Sequence, residues 1–132
     1  MKAVFLIGLG GASGSILRYF VYLLFSRYFG LIYPMQTLFV NITGCLLMGI
    51  LIELFNTKIG LNHDLRYFLL VGFLGGFTTF SAFSSDFFNF IQLGDVLNAF
   101  IYIFISVFLS IFAFFIGVYI VKVISIWLII VT

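Results

Sequence analysis

The chain has 132 residues, of which 64% are hydrophobic and 8% charged, and its formal net charge is +2. That apolar excess excludes a soluble domain of this size and leaves an all-α integral membrane protein. So small a charge leaves no footprint for nucleic acid. The one cysteine, Cys45, excludes an intramolecular disulfide and reads as a small packing residue inside a span.

A helix needs about 20 apolar residues to cross the hydrocarbon core, so the chain has length for four spans joined by short connectors. The first is predicted over residues 4–25. The lysine and small residues near its start faintly resemble a secretory signal, but the apolar stretch resumes after them, which suits a transmembrane helix better. Gly8 and Ala12, Gly10 and Gly14, and Gly11 and Ser15 recur at four-residue spacing, and such ridges let helix backbones approach closely in lipid. Residues 8–13 almost spell a dinucleotide fingerprint. Ser13 takes the place of the last glycine and no strand precedes it, so nucleotide binding is set aside. Arg18 lies inside this span, where an arginine is costly unless it snorkels to the interface or faces a wet vestibule.

A connector with Arg27, Gly30 and Pro34 leads to a second span over 35–55, which carries Thr37, Asn41, Thr43 and Gly44. An unpaired amide at Asn41 would be expensive there. Either it bridges helices or it presents its N–H donors to a pathway. The next connector, 56–64, holds Lys58, Gly60 and His63, and either Asn62 or Asp64 can cap the third helix. His63 has no second ligand candidate nearby and reads as a solvated loop residue.

The third span, 65–91, contains the most informative stretch of the chain: residues 75–84, GGFTTFSAFS. Hydrocarbon supplies no water to polar groups, so two glycines and four hydroxyls at that depth must line a cavity or be buried in protein. Thr78 lies about 20 Å along this span at ~1.5 Å per residue, near the bilayer centre. Glycines followed by β-branched threonines predict a break over 75–79 that releases carbonyls from the helical ladder. Phe80 and Phe83 share a helical face with this polar material. A turn at 92–95 leads to a fourth span over 96–121. Its apolar character runs on past Lys122, further than one crossing requires, so the end is tilted or interfacial.

Three segments stand in order along the chain: GGASGSILRY at 10–19, TLFVNITGCLLMG at 37–49 and GGFTTFSAFS at 75–84. In these, and in length and span number, the chain resembles the CrcB or Fluc family of small fluoride channels. The resemblance implies an antiparallel homodimer with two fluoride pathways at its interface. It implies a sodium ion at the dimer centre, held by the carbonyls of Gly75 and Thr78. It assigns Asn41, Thr79, Phe80, Ser81, Phe83 and Ser110 to the pathway and Arg18 to the vestibule. Two positions depart from the family pattern. Ala82 stands where threonine is usual, which weakens one hydroxyl contact. Asp86 stands where glutamate is common, which shortens the carboxylate's reach.

The chemistry suits that resemblance. Fluoride holds water tightly, so donors must replace its shell, and the hydroxyls of Thr79, Ser81 and Ser110 with the amide of Asn41 supply them. Conduction needs sites weak enough to leave, which favours neutral donors over a fixed cation. Aromatic rings have a positive edge, so Phe80 and Phe83 can meet an anion edge-on. The expected activity is passive fluoride export, with sodium in a structural role and the bilayer and a second copy as partners. Lys2, Lys58, Arg66 and Lys122 fall on one side of a four-span topology, against Arg27 and at most Arg18 on the other. That bias favours cytoplasmic termini and opposes dual insertion.

Two rivals fit less well. A small proton-coupled multidrug exporter needs a membrane-embedded carboxylate. The first span has none, and Glu53 and Asp86 fall toward span ends. A non-transporting assembly subunit leaves the hydroxyl cluster without a purpose. No nucleophile–base–acid set suggests an enzyme.

Overall fold

The computed structural model describes residues 1–29, 34–57 and 62–131. Gly30, Lys58 and Gly60 lie outside the described residues. Helix α1 runs Lys2–Phe29 and α2 runs Met35–Asn56. A short α3, His63–Arg66, continues as a π-helical stretch, Tyr67–Leu74, and then as α4, Gly75–Phe77. After α5, Phe80–Gln92, a turn with Gly94 at φ 75° leads into α6, Val96–Val131. Among the described residues, four segments are long and apolar enough to cross a membrane: Lys2–Tyr28, Met35–Asn56, His63–Gln92 and Val96–Leu128.

Most helix ends fall within a few residues of the sequence expectation, but α6 does not stop at 121. Lysine is a good helix former, and no glycine or proline follows Lys122, so the helix runs through it. At the start of α3 the Asn62 side chain accepts a hydrogen bond from the Asp64 N–H at 3.2 Å, so Asn62 is the cap. His63 is exposed as the first residue of α3 rather than in the connector. Lys2 forms an ion pair with Asp64, which ties the beginning of α1 to the beginning of α3.

Backbone-to-backbone contact at glycines holds the helices together. A Cβ on Gly14 would collide with the Phe73 carbonyl oxygen, and one on Gly76 with the Gly11 carbonyl oxygen. Gly49 of α2 stands against the Phe114 carbonyl of α6 in the same way, and Gly117 against that of Leu46. By contrast, a Cβ on Gly8 would meet nothing within 4 Å. Of the three predicted ridges, the pair Gly10 and Gly14 is the buried one. At one end of the bundle Phe83, Phe90, Ala99 and Tyr102 form a buried cluster.

The backbone leaves the helical region at two residues only between α4 and α5. Thr78 has φ −77° and ψ 159°, and Thr79 has φ −153° and ψ 119°. The expected release over 75–79 is therefore narrower in the structure, because Gly75 and Gly76 stay helical. Gly76 serves close approach to α1 instead of unusual dihedrals. The two β-branched threonines take the extended conformation that their side chains favour.

Candidate functional site

An extended residue inside a helical span loses both ladder bonds, and its N–H and C=O must find other partners. Asn41 of α2 supplies both for Thr79. Its Nδ2 donates to the Thr79 carbonyl at 3.1 Å, and its Oδ1 accepts from the Thr79 N–H at 2.8 Å. Of the two sequence readings for Asn41, the structure displays the bridge. The Thr79 hydroxyl then starts α5 by accepting from the Ala82 N–H at 3.1 Å, the arrangement preferred at a helix N-cap. Thr78 closes α4: its N–H and its hydroxyl both donate to the Leu74 carbonyl at 3.0 Å.

A cavity of about 280 Å³ opens beside this junction. It gathers Asn41, Thr79, Phe80, Phe83 and Ser110, five of the six pathway residues expected from the sequence, together with Thr78. Ser81 does not line it; that residue is exposed on α5, with its Oγ 3.2 Å from Thr79 Oγ1. Gly75 is also exposed and outside the cavity. Phe80 and Phe83 have ring centroids 5.4 Å apart, tilted by 42°. They are unequal walls. Phe83 is 8% exposed and packs on Tyr102, whereas Phe80 is 76% exposed.

Among the described residues, no charged side chain lines this cavity. Ser110 Oγ is fully shielded in it and has no hydrogen-bond partner. Cys45 lines the same cavity, and no hydrogen bond joins its thiol to Ser110. Ser106, one turn before Ser110, is buried on the same wall. Sequence reasoning missed it. The available signal was the four-residue spacing of Tyr102, Ser106 and Ser110 down one face of an otherwise apolar helix.

A second cavity of about 350 Å³ holds the charges. Arg18, Thr37 and Asp86 all line it, and Thr79 belongs to both cavities. Arg18 does not simply snorkel, because its Nη1 reaches the Thr78 carbonyl at a long 3.4 Å. Asp86 was expected toward a span end. It lies six residues before the end of that span, Gln92, where it is partly buried and accepts a hydrogen bond from the Tyr102 hydroxyl at 3.1 Å.

Residues 5–118 match the family described as "CrcB-like protein, Camphor Resistance (CrcB)". A Rhizobium meliloti protein named fluoride-specific ion channel FluC is 43% identical over 117 residues, covering 89% of this chain and 94% of its own length. A protein of the same name from Nitrobacter winogradskyi is 44% identical over 126 residues, covering 94% of this chain and 100% of its own. A third, from Flavobacterium psychrophilum, is 41% identical over 103 residues, with coverage of 78% and 83%. With four membrane-crossing segments and this match over most of its length, the chain belongs to the CrcB family as a multi-pass membrane protein.

Proposed function

We propose that the chain forms a channel that passes fluoride selectively down its gradient and thereby lowers cytoplasmic fluoride. The names of its relatives point there. The observation that carries the reading is the uncharged cavity in which a buried, unpartnered Ser110 hydroxyl, the Asn41 amide and the Phe83 ring converge. Unpaired buried donors are uncommon because they are costly, and an anion entering the cavity would supply the acceptor that this donor lacks. Neutral donors and ring edges replace the water of a small anion without binding it so tightly that it cannot leave.

The finer features belong to the same reading. The extended pair at 78–79 interrupts the third span near the bilayer midplane. Two chains associate in antiparallel fashion, and Phe80, open on one side, meets the second copy. A sodium ion fits the donor chemistry beside the interruption: the carbonyls of Gly75 and Thr78 are hard oxygen donors at the end of a helix. One chain offers only two of them, so a second copy would complete the set. When bound, the ion supplies positive charge beside the anion route. Arg18, 3.4 Å from the Thr78 carbonyl, adds to that charge and draws anions toward the second cavity.

The test is fluoride efflux from liposomes that contain only this protein, with chloride as the control. Fluoride flux without chloride flux is expected; no flux, or equal flux of both ions, overturns the reading. Phe80→Ile and Phe83→Ile should each slow fluoride by about fivefold while the protein stays folded, taking a ring-edge contact as roughly 1 kcal/mol. Ser110→Ala should separate function from stability. It removes a hydroxyl that bonds to nothing in the protein, so the thermal midpoint should hold or rise, whereas flux should fall by about tenfold or more.

A further inference from the structure

The family match ends at residue 118, but α6 remains helical to Val131. Its packing on α2 sets the level of this extra length. Gly49 meets Phe114 and Val118 and Gly117 meets Leu46 and Ile50, while Asn41 and Cys45, earlier on α2, share a cavity with Ser106 and Ser110, earlier on α6, so the two helices run side by side in the same direction. In that register Asn56, the last residue of α2, stands level with Val123 or Ile124. Arg66 is at the same height, its guanidinium 5.9 Å from the centre of the Phe55 ring, and the ion pair of Lys2 with Asp64 is next to it. Such charges mark the rim of the bilayer.

Past this rim the bundle no longer covers α6. Among the residues up to Leu128, whose burial is described, Val121 is the last buried one. From Lys122 to Leu128 every side chain except Ser125 is exposed, and consecutive exposed residues point in all directions around a helix. A protein groove would cover one stripe, whereas a lipid layer surrounds. The exposed side chains are apolar apart from Lys122, and they include Ile124, Ile126, Trp127 and Leu128.

Length decides the posture of the segment. About eight residues of helix beyond the rim extend ~12 Å, but the headgroup layer is only about 5–7 Å deep on each side. Upright, half of this apolar segment would stand in water. Tilting the whole of α6 into the hydrocarbon would need about 55°, beyond the 0–40° that membrane helices adopt. Its contact with α2 opposes such a tilt as well. Charge adds a preference: Lys122 and Arg66 are on this rim, and neither is in an ion pair among the described residues.

We propose that residues 122–131 are a membrane-surface foot that leans into an anionic headgroup layer, with Lys122 against lipid phosphate and Trp127 among the headgroups. The foot fixes the depth of α6, the helix that carries Ser106 and Ser110. Its existence does not depend on which ion is conducted.

Trp127 is the one tryptophan of the chain, so its emission reports on this segment alone. The full-length protein would be placed in phosphatidylglycerol-containing vesicles with bromine-labelled lipids. Label close to the headgroups should quench Trp127 more than label at mid-chain. Acrylamide on both faces should quench it several-fold less than free tryptophan. In Lys122→Gln, the stronger shallow quenching in anionic than in zwitterionic vesicles should disappear. Quenching by acrylamide equal to that of free tryptophan would put the segment in water and overturn the proposal. Shielding from both acrylamide and lipid label would mean cover by a second copy and would also overturn it, as would stronger quenching from mid-chain. No change in Lys122→Gln would remove the phosphate contact. Fluoride flux from the same vesicles is a separate readout, so failure of the proposed channel activity leaves this result intact.

Discussion

Asn41→Ala is expected to lower stability by about 2–6 kcal/mol and to abolish fluoride flux. The magnitude follows from Thr79, whose N–H and C=O both lose their partner. Each buried backbone group left unpaired costs about 1–3 kcal/mol, and water cannot substitute inside a bilayer. Thermal loss of the monodisperse species in detergent measures the first effect, and liposome efflux measures the second. Asn41→Asp refines the test. It keeps the acceptor for the Thr79 N–H, loses the donor to the carbonyl and adds negative charge at the proposed anion cavity. Flux should therefore fall further than stability does. Wild-type stability in Asn41→Ala would mean that the amide does not hold the extended backbone.

Gly14→Ala should be the second severe change, and Gly8→Ala its control. Both add one methyl group to α1, six residues apart. At Gly14 the new Cβ meets the Phe73 carbonyl, which is backbone and cannot rotate away; at Gly8 it meets nothing. Overpacking of this kind costs about 1–3 kcal/mol and occasionally more. An alanine in open helix is neutral or gains up to ~1 kcal/mol. Gly49→Ala repeats the experiment on α2, where the obstacle is the Phe114 carbonyl. If Gly14→Ala and Gly8→Ala lose the folded species at the same temperature, the close approach of α1 to the third span is wrong.

Much of this was legible in the chain itself, for reasons that differ residue by residue. The four spans are legible because a run of apolar residues as long as 96–131 has no other stable home. The segment 75–84 is legible because hydroxyls deep in hydrocarbon are expensive and must be answered. The destination of Asn41 was not, since an amide can reach a ligand or a backbone equally well until the neighbouring helix is placed. Glycine spacing gave three candidate ridges on α1, but only packing tells that Gly14 is filled and Gly8 open. Ser106 escaped notice because one serine in a helix is cheap, and its value comes from aligning with Tyr102 and Ser110. Phe80 and Phe83 read as equivalents in sequence. Their difference in exposure comes with packing, for Phe83 sits in a cluster with Phe90, Ala99 and Tyr102, and most of these lie further along the chain on another helix.

The extended pair at 78–79 has an electrostatic consequence. Every helix carries roughly half a positive charge at its beginning and half a negative charge at its end. The stretch from His63 through Phe77 ends where α5 begins, so opposite macrodipole poles stand two residues apart. A cation is drawn to one pole and an anion to the other, within a few ångströms and with no ionised side chain required. The Asn41 amide, by pinning Thr79, keeps these two half-charges from annealing into one continuous helix.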